Sequence, residues 1–521
     1  MKWDRWILVS AVAAGALLRL PSLDVRPMHT DEAVHAVKFG TLLESGSYRY
    51  DKNEYHGPTL NYLTLVPARL SGARNLSETT ETTLRIVPVV FGIALLLFLP
   101  LFKDLGKKTV AAAAFLTSCS PAMVFYSRYY IQEMILVTFT FGLIVAGYRL
   151  ITGGGAVWAV AAGICAGLMH ATKETWIISI GAMGIALIAT FLICRGKGQP
   201  KGSFRYRYLL LALLTGAAVS VTLFSSFFTH WQGVTDSLLA YKTYFERAGE
   251  SSRHGHPWYY FLQLLGWSGS GDGIVWTEAG ILILALAGMW NAIRRTNERQ
   301  PGERCLIIFL GFYGVLLFVI LSVLPYKTPW LIVSALQPLI VVAGAGIAAV
   351  LAWLKERKAP RWGMLAVCAL VAHLAWQSYL GSFKYYDDPT NPYVYSHPTS
   401  DVKRVAGAVL EVAKRSPEGM SMPVQVVYPD DEYWPLPWYL RSLRNVGWWR
   451  KITADFVPTP VILISPEDEP ALLEKLFKQP APGKTPLYVS LFEKPVYIRP
   501  GKEIRGYVMS DLNTTYLKIE K

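Results

Sequence analysis

A chain of 521 residues that is 52% hydrophobic and only 17% charged, with a mean hydropathy of +0.29, is too apolar for an ordinary soluble globule. Its net charge of +14 raises a nucleic-acid partner, but much of the excess falls in short loops between apolar runs, where membrane topology accounts for it. The five cysteines, Cys119, Cys165, Cys194, Cys305 and Cys368, lie in or at the ends of apolar runs, which excludes an exterior disulfide framework and a Cys-x-x-Cys metal site.

Taken in chain order, apolar segments at residues 6–23, 84–102, 110–126, 131–151, 157–169, 176–194, 209–228, 274–290, 306–324, 330–354 and 364–380 predict an α-helical polytopic membrane protein of about 11 transmembrane helices. The first has a short basic start and runs into Leu17-Leu18-Arg19-Leu20-Pro21 without a small-residue cleavage site, so it reads as an uncleaved signal anchor. With the N-terminus cytoplasmic, alternate loops carry Lys103, Lys107 and Lys108, then the basic stretches of 195–207, 294–304 and 355–361. That is the positive-inside pattern of a multi-pass protein, here expected in a prokaryotic cytoplasmic (inner) membrane. An odd number of spans puts the polar C-terminal stretch outside. We therefore expect a transmembrane domain over 1–381, with an exterior loop at 24–83, and an exterior α/β domain over 382–521. In that domain 402–414 alternates like an amphipathic helix, 424–428 and 461–465 read as buried strands, and 467–478 reads as another helix.

The unusual polar residues follow one another to the exterior side. RPMHTDEAVHAVKFG, Arg26 to Gly40, comes directly after the first span and holds Asp31, Glu32 and His35, while Glu54 and His56 lie further along the same loop. Ser127-Arg128-Tyr129-Tyr130-Ile131-Gln132-Glu133 joins spans three and four, and His170-Ala171-Thr172-Lys173-Glu174 joins five and six. The loop over 229–273 adds His254 and His256, and Lys327 sits between spans nine and ten. Charges so close to hydrocarbon are costly unless they serve a site or pair with one another, and their convergence on one face argues for a site.

Structural readings stand beside the functional one. Thr30 can cap a helix, with Asp31 and Glu32 answering only its dipole. Arg128 can snorkel to headgroups, and Tyr126, Tyr129 and Tyr130 fit an interfacial aromatic belt. Lys173 beside Glu174 can be a local ion pair, and His254 and His256 fit an exposed polar loop. Glu32-Ala33-Val34-His35 has the spacing that puts two metal-type ligands on one helix face, but a di-metal site needs a second such motif and none occurs. A single divalent metal on Asp31, Glu54 or His56 stays an option, and no cofactor is required.

The acidic pair Asp31-Glu32 in the first exterior loop, followed by a helix and by His56-Gly57-Pro58, resembles the GT-C superfamily of integral membrane glycosyltransferases. Within it the chain is most similar to the protein O-mannosyltransferase and aminoarabinose-transferase group, through Ser127-Arg128-Tyr129 with Glu133 and through Lys327-Thr328-Pro329-Trp330. Tyr393-Val394-Tyr395-Ser396-His397-Pro398 and the run from Tyr433 to Arg441 resemble prokaryotic flippase-activity-associated relatives. The resemblance covers the membrane part of the chain; after Leu380 it departs from the eukaryotic mannosyltransferases. It implies transfer of a sugar from a polyprenyl-phosphate donor to an acceptor hydroxyl, on a protein or a glycolipid, at the exterior face of the bilayer and without nucleic acid.

Such chemistry fits the constellation. A polyprenyl phosphate leaves as an anion, so its departure needs positive charge rather than a general acid, and one carboxylate suffices to deprotonate the acceptor from the opposite face of the sugar, with inversion. Asp31 is the expected base. Glu32 positions it or binds sugar hydroxyls, and Arg128, Lys173 and Lys327 hold the lipid phosphate. His35, Glu54, His56, Glu133, His170 and Glu174 bind substrate or support the others. The alternative function is a flippase or transporter of lipid-linked sugars, which would place ionisable groups along a path through the bilayer rather than at one face. The aromatic run at Tyr433–Arg441 is either a sugar platform or, as we favour, core or a docking surface toward the membrane part.

Overall fold

The computed structural model describes residues 2–53, 56–194, 206–248, 255–269, 273–294, 301–478 and 487–513. In chain order the helices are α1 (Lys2–Arg19), α2 (Thr30–Ser45), α3 (Thr59–Leu70), α4 (Glu81–Phe98), α5 (Lys107–Cys119), α6 (Pro121–Ser127), α7 (Glu133–Ile151), α8 (Ala156–His170), α9 (Trp176–Cys194), α10 (Tyr206–Phe224), α11 (Gln232–Ala248), α12 (Tyr260–Gly266), α13 (Ala279–Arg294), α14 (Pro301–Val323), α15 (Val333–Glu356), α16 (Pro360–Tyr379), α17 (Asp401–Arg415), α18 (Leu436–Tyr439), α19 (Glu469–Leu473) and α20 (Ser510–Asn513). They fall into two compact units. One comprises Met1–Leu23, Gly46–Gly72 and Thr82–Tyr395; the other comprises Asp24–Ser45, Ala73–Glu81 and Ser396–Lys521.

The first unit is helical, and each of the eleven apolar segments overlaps one of its helices, with 110–126 taking in parts of both α5 and α6. Among the described residues seven spans are long and apolar enough to cross a membrane, and the bent pair α5 and α6 makes an eighth if counted as one. α8 and α13 are apolar but shorter, and α1 carries Lys2, Asp4, Arg5 and Arg19 at its ends, so length and composition alone do not supply eleven full spans. The 57° bend between α5 and α6 falls at Ser120, where Pro121 removes a backbone donor and the Ser120 hydroxyl caps the new helix. Fully buried Glu278 holds that break, accepting the Ser120 hydroxyl at 2.5 Å, the Ala122 N–H at 2.9 Å and the Tyr393 hydroxyl at 2.7 Å. α15 is the most enclosed span and lies against α5, α7, α13 and α14, whereas α9, α10 and α16 leave most of their apolar surface uncovered, as lipid-facing helices do. α8 crosses α10 through glycine: a Cβ on Gly163 would stand 2.4 Å from the Ala212 carbonyl oxygen, and one on Gly167 2.5 Å from that of Gly216.

The second unit is α/β. Strands β1 (Val424–Val427), β2 (Val446–Trp449), β3 (Val461–Ile464), β4 (Tyr488–Ser490), β5 (Val496–Arg499) and β6 (Lys502–Met509) form a sheet ordered β2-β1-β3-β6-β4, with β5 also on β6. β1 runs parallel to β2 and β3, while β6 is antiparallel to β3, β4 and β5. β3 is buried on both faces because Val461 and Leu463 join the core under α17 while Ile462 and Ile464 meet Leu472 and Leu476 on the other side. α17, β1, β3 and the helical stretch from Glu469 onward match the elements expected at 402–414, 424–428, 461–465 and 467–478.

The division of the chain differs from the expected 1–381 and 382–521. The stretch up to Tyr395 clusters with the helices, where the Tyr393 hydroxyl reaches Glu278 and its carbonyl accepts from Tyr126 at 3.0 Å. The expected loop 24–83 is itself divided, and Asp24–Ser45 and Ala73–Glu81 cluster with the sheet.

Candidate functional site

In the second unit the start of α2 is fixed by its own first turn. His29 is the capping residue: its carbonyl accepts the Ala33 N–H at 2.9 Å and its Nδ1 accepts the Asp31 N–H at 3.1 Å. Thr30, expected in that role, begins the helix instead. Glu32 closes a capping box by accepting the His29 N–H at 2.8 Å. It is fully buried, and Arg26 grips it bidentately with both N–H···O distances at 2.9 Å. The same guanidinium lies 2.7 Å from Nε2 of His397, whose Nδ1–H donates to the Pro398 carbonyl at 2.9 Å. His397 is therefore the neutral Nδ1–H tautomer, and burial first, then the Arg26 charge, hold its pKa well below the usual histidine value. Burial also lowers the pKa of His29.

With Glu32 occupied by Arg26 and His29, the side chain of the pair left accessible is that of Asp31, which is 47% exposed and 3.9 Å from His29 Nδ1. His35 is buried one turn further along α2. The Tyr433–Arg441 run holds these loop segments rather than presenting an open aromatic platform. Tyr439 accepts the Met28 N–H at 2.8 Å, fully buried Trp438 donates Nε1–H to Glu81 at 3.1 Å, and Arg441 stacks 3.7 Å over Trp438 while donating to the carbonyls of Leu76 and Thr79.

In the first unit the charged loops are paired with one another and with backbone. Lys173 pairs with Glu133, both buried, and not with its neighbour Glu174. Glu174 instead lies 2.8 Å from His56 Nδ1 and accepts the Tyr50 hydroxyl at 3.3 Å. Burial opposes its charge, yet His56 holds its pKa below the usual carboxylate value. Arg128 does not snorkel: it is buried and donates to the carbonyls of Arg19, Pro21 and Ser22 at 2.8, 2.8 and 2.9 Å, closing the C-terminal end of α1, with Phe383 4.6 Å away beneath its guanidinium. Lys327 donates to the Leu324 and His256 carbonyls at 2.5 and 2.8 Å, so half-buried His256, stacked on Tyr260, is tied down within a loop whose neighbouring Trp258 and Tyr259 are exposed. His170 Nδ1 is 2.6 Å from the Ser220 hydroxyl. Glu54 and His254 lie outside the described residues.

Tyr126, Tyr129 and Tyr130 are buried, contrary to the expected lipid-facing belt; the first two pack on Trp330 and Tyr130 bonds Thr64 at 2.8 Å. Arg26, His397, Glu278 and Tyr50 went unassigned in the sequence. Arg26 and His397 stand in quoted motifs, but nothing in their local context announces a pairing across 371 residues. Among the described residues no three His, Cys, Asp or Glu side chains are grouped to hold a metal ion, and both oxygens of Glu32 are taken up by Arg26.

Residues 58–225 match the family described as dolichyl-phosphate-mannose-protein mannosyltransferase. No curated protein matches the chain. Among solved structures, ArnT from Cupriavidus metallidurans in the apo state is similar with a TM-score of 0.62 at 18% identity, over 97% of this chain and 98% of that one. ArnT from the same organism bound to undecaprenyl phosphate gives 0.61 at 17% identity, over 96% and 97%. The chain thus has the ArnT-like GT-C fold, and its residues 58–225 match the mannosyltransferase family.

Proposed function

We propose that the protein transfers a sugar from a polyprenyl-phosphate donor to an acceptor hydroxyl on a protein or glycolipid, at the exterior face of a prokaryotic cytoplasmic membrane. The observation that carries this reading is the setting of Asp31, a half-exposed carboxylate on a helix whose start is locked by buried Arg26 and Glu32. A base must be reachable by substrate and yet held in place. The mannosyltransferase match over 58–225 and the fold shared with an undecaprenyl-phosphate-binding protein support the donor class.

In this reading Asp31 takes the proton of the acceptor hydroxyl as that oxygen bonds the anomeric carbon. The bond from that carbon to the phosphate oxygen breaks with the electron pair leaving on phosphate, and the configuration inverts. Lys173 and Lys327 supply positive charge to the phosphate from their remaining N–H groups. Arg128, whose donors go to the end of α1, and Glu32, enclosed by Arg26, act as positioning residues, and His56 and Glu174 support the charged loop.

The test is transfer by the full chain reconstituted in lipid, from a panel of radiolabelled polyprenyl-phosphate sugars. Asp31→Asn should lower turnover by about 10²–10⁴-fold, the usual worth of a general base, while donor binding persists. Normal transfer by Asp31→Asn would remove the base assignment; no transfer by the wild type from any donor would remove the enzyme class.

A further inference from the structure

α11 turns its large side chains the wrong way for a helix in water. Gly233, Ser237 and Ala240, spaced at i, i+4 and i+7, are buried, while the opposite stripe of Trp231, Thr235, Leu238 and Lys242 is exposed, with Leu239 beside it. Trp231 is 60% and Leu238 65% exposed. The inner face is close-fitting, since a Cβ on Gly233 would stand 2.1 Å from the Phe224 carbonyl oxygen. The flanks are tied as well: Asp236 pairs with Lys52 at 3.3 Å, and the Tyr241 hydroxyl accepts the Trp176 Nε1–H at 2.5 Å. The turn before α11 adds to the exposed side. Ser226, Phe227 and Phe228 hold consecutive left-handed φ angles of 51°, 55° and 68°, which bulky side chains rarely adopt. Hydrogen bonds keep them there, from the Phe227 N–H to the Thr222 carbonyl at 2.8 Å, from the Phe228 N–H to the Ser225 hydroxyl at 3.0 Å, and from the Ser226 hydroxyl to the Tyr48 carbonyl. This rigid turn leaves both phenylalanines more than half exposed.

We infer that the turn and the exposed face of α11 lie in the bilayer leaflet at the C-terminal end of α10, with Phe227, Phe228, Trp231 and Leu238 among lipid at the boundary between headgroups and acyl chains. Asp236 and Lys242 make α11 too polar to cross a membrane, yet one side of it carries a tryptophan and leucines, as a helix lying in the interface does. Lys242, at the far end of the exposed stripe, places its ammonium among the headgroups. The bilayer is favoured over a protein partner because the exposed apolar residues follow, in chain order, those of α10, a span whose Leu209, Leu210, Leu213 and Leu214 are bare in the same way. Through Asp236 and Ser226 the membrane surface also moors Lys52 and the Tyr48 carbonyl, and with them the loop that leads to His56.

Photocrosslinking tests this in the full chain reconstituted in phosphatidylcholine vesicles. The photoreactive residue p-benzoylphenylalanine would replace Leu238 and, in a second protein, Phe228; both side chains are exposed, so little packing is lost. Leu213 of α10 is the lipid-facing reference, and Lys414 of α17, whose side chain is exposed, is the reference in the second unit. After irradiation the intact mass should rise by one phosphatidylcholine with the probe at Leu238 or Phe228, as it does at Leu213, and should not rise at Lys414. No lipid adduct at Leu238 and Phe228, with one present at Leu213, would leave the face in water and overturn the inference. A crosslinked dimer in place of the lipid adduct would overturn it by assigning the face to a second copy of the chain.

Discussion

Replacing Arg26 with methionine should loosen the start of α2 and with it the carboxylate of Asp31. Arg26 donates two hydrogen bonds to Glu32, which is fully buried, so the substitution takes away the guanidinium that pairs with this charge. Breaking a buried pair from one side costs about 3–5 kcal/mol, which is roughly 10²–10⁴ in a local opening equilibrium. Hydrogen exchange on the full chain in nanodiscs reads this directly: amide protection over residues 30–45 should fall by about that factor in Arg26→Met. The double variant Arg26→Met with Glu32→Leu removes both charges and should recover much of the loss, because the penalty belongs to the unpaired ion rather than to a missing attraction. Protection in Arg26→Met within about threefold of wild type would refute the reasoning, and so would a double variant worse than either single one.

Acidification should loosen the same unit. The pKa values of His29 and His397 are lowered in the fold, so the unfolded chain binds protons first as pH falls through about 6.5; stability is complete above that pH and declines below it by up to about 1.4 kcal/mol per pH unit for each histidine. Exchange over residues 30–45, corrected for intrinsic rate, should rise between pH 7.5 and 5.5, and flat protection would count against the buried neutral histidines. Trp438→Ala should cost about 3–5 kcal/mol in denaturant unfolding of the second unit, whereas Trp438→Phe, losing mainly the bond to Glu81, should cost about 1 kcal/mol. Glu278→Gln turns one acceptor into a donor facing three donors and should cost about 1–3 kcal/mol in thermal unfolding. Adding Tyr393→Phe should then cost less than it does alone; simple additivity would show that the two side chains do not share the buried bond.

The apolar helices, the α/β character of the last part of the chain and the residues of the polar clusters were legible in the sequence because each follows from local pattern, whereas α3, α11 and α12 lie in stretches that read as loops. Hydrocarbon demands long apolar helices, and amphipathic periodicity and continuous apolar runs mark α17, β1 and β3. β2 and the strands after β3 were not legible, since Val446–Trp449 is interrupted by Gly447 and only half-buried, Lys502–Met509 mixes polar and apolar residues, and both depend on their neighbours in the sheet. Asp31 and Glu32 stood out together in the sequence, with no local signal of their burial; a guanidinium six residues away, itself beside an imidazole 371 residues further on, encloses Glu32, while Asp31 stays half-exposed. Arg128 and Lys327 likewise read as free cations until backbone carbonyls, invisible in a sequence, claim their donors. What the sequence determined by itself is thus the solvent the chain is built for and which residues carry charge near its boundary. Which of those charges are held and which can be reached was decided by tertiary structure, because a buried charge takes its partner from whatever the fold brings within about 3 Å, not from its neighbours along the chain.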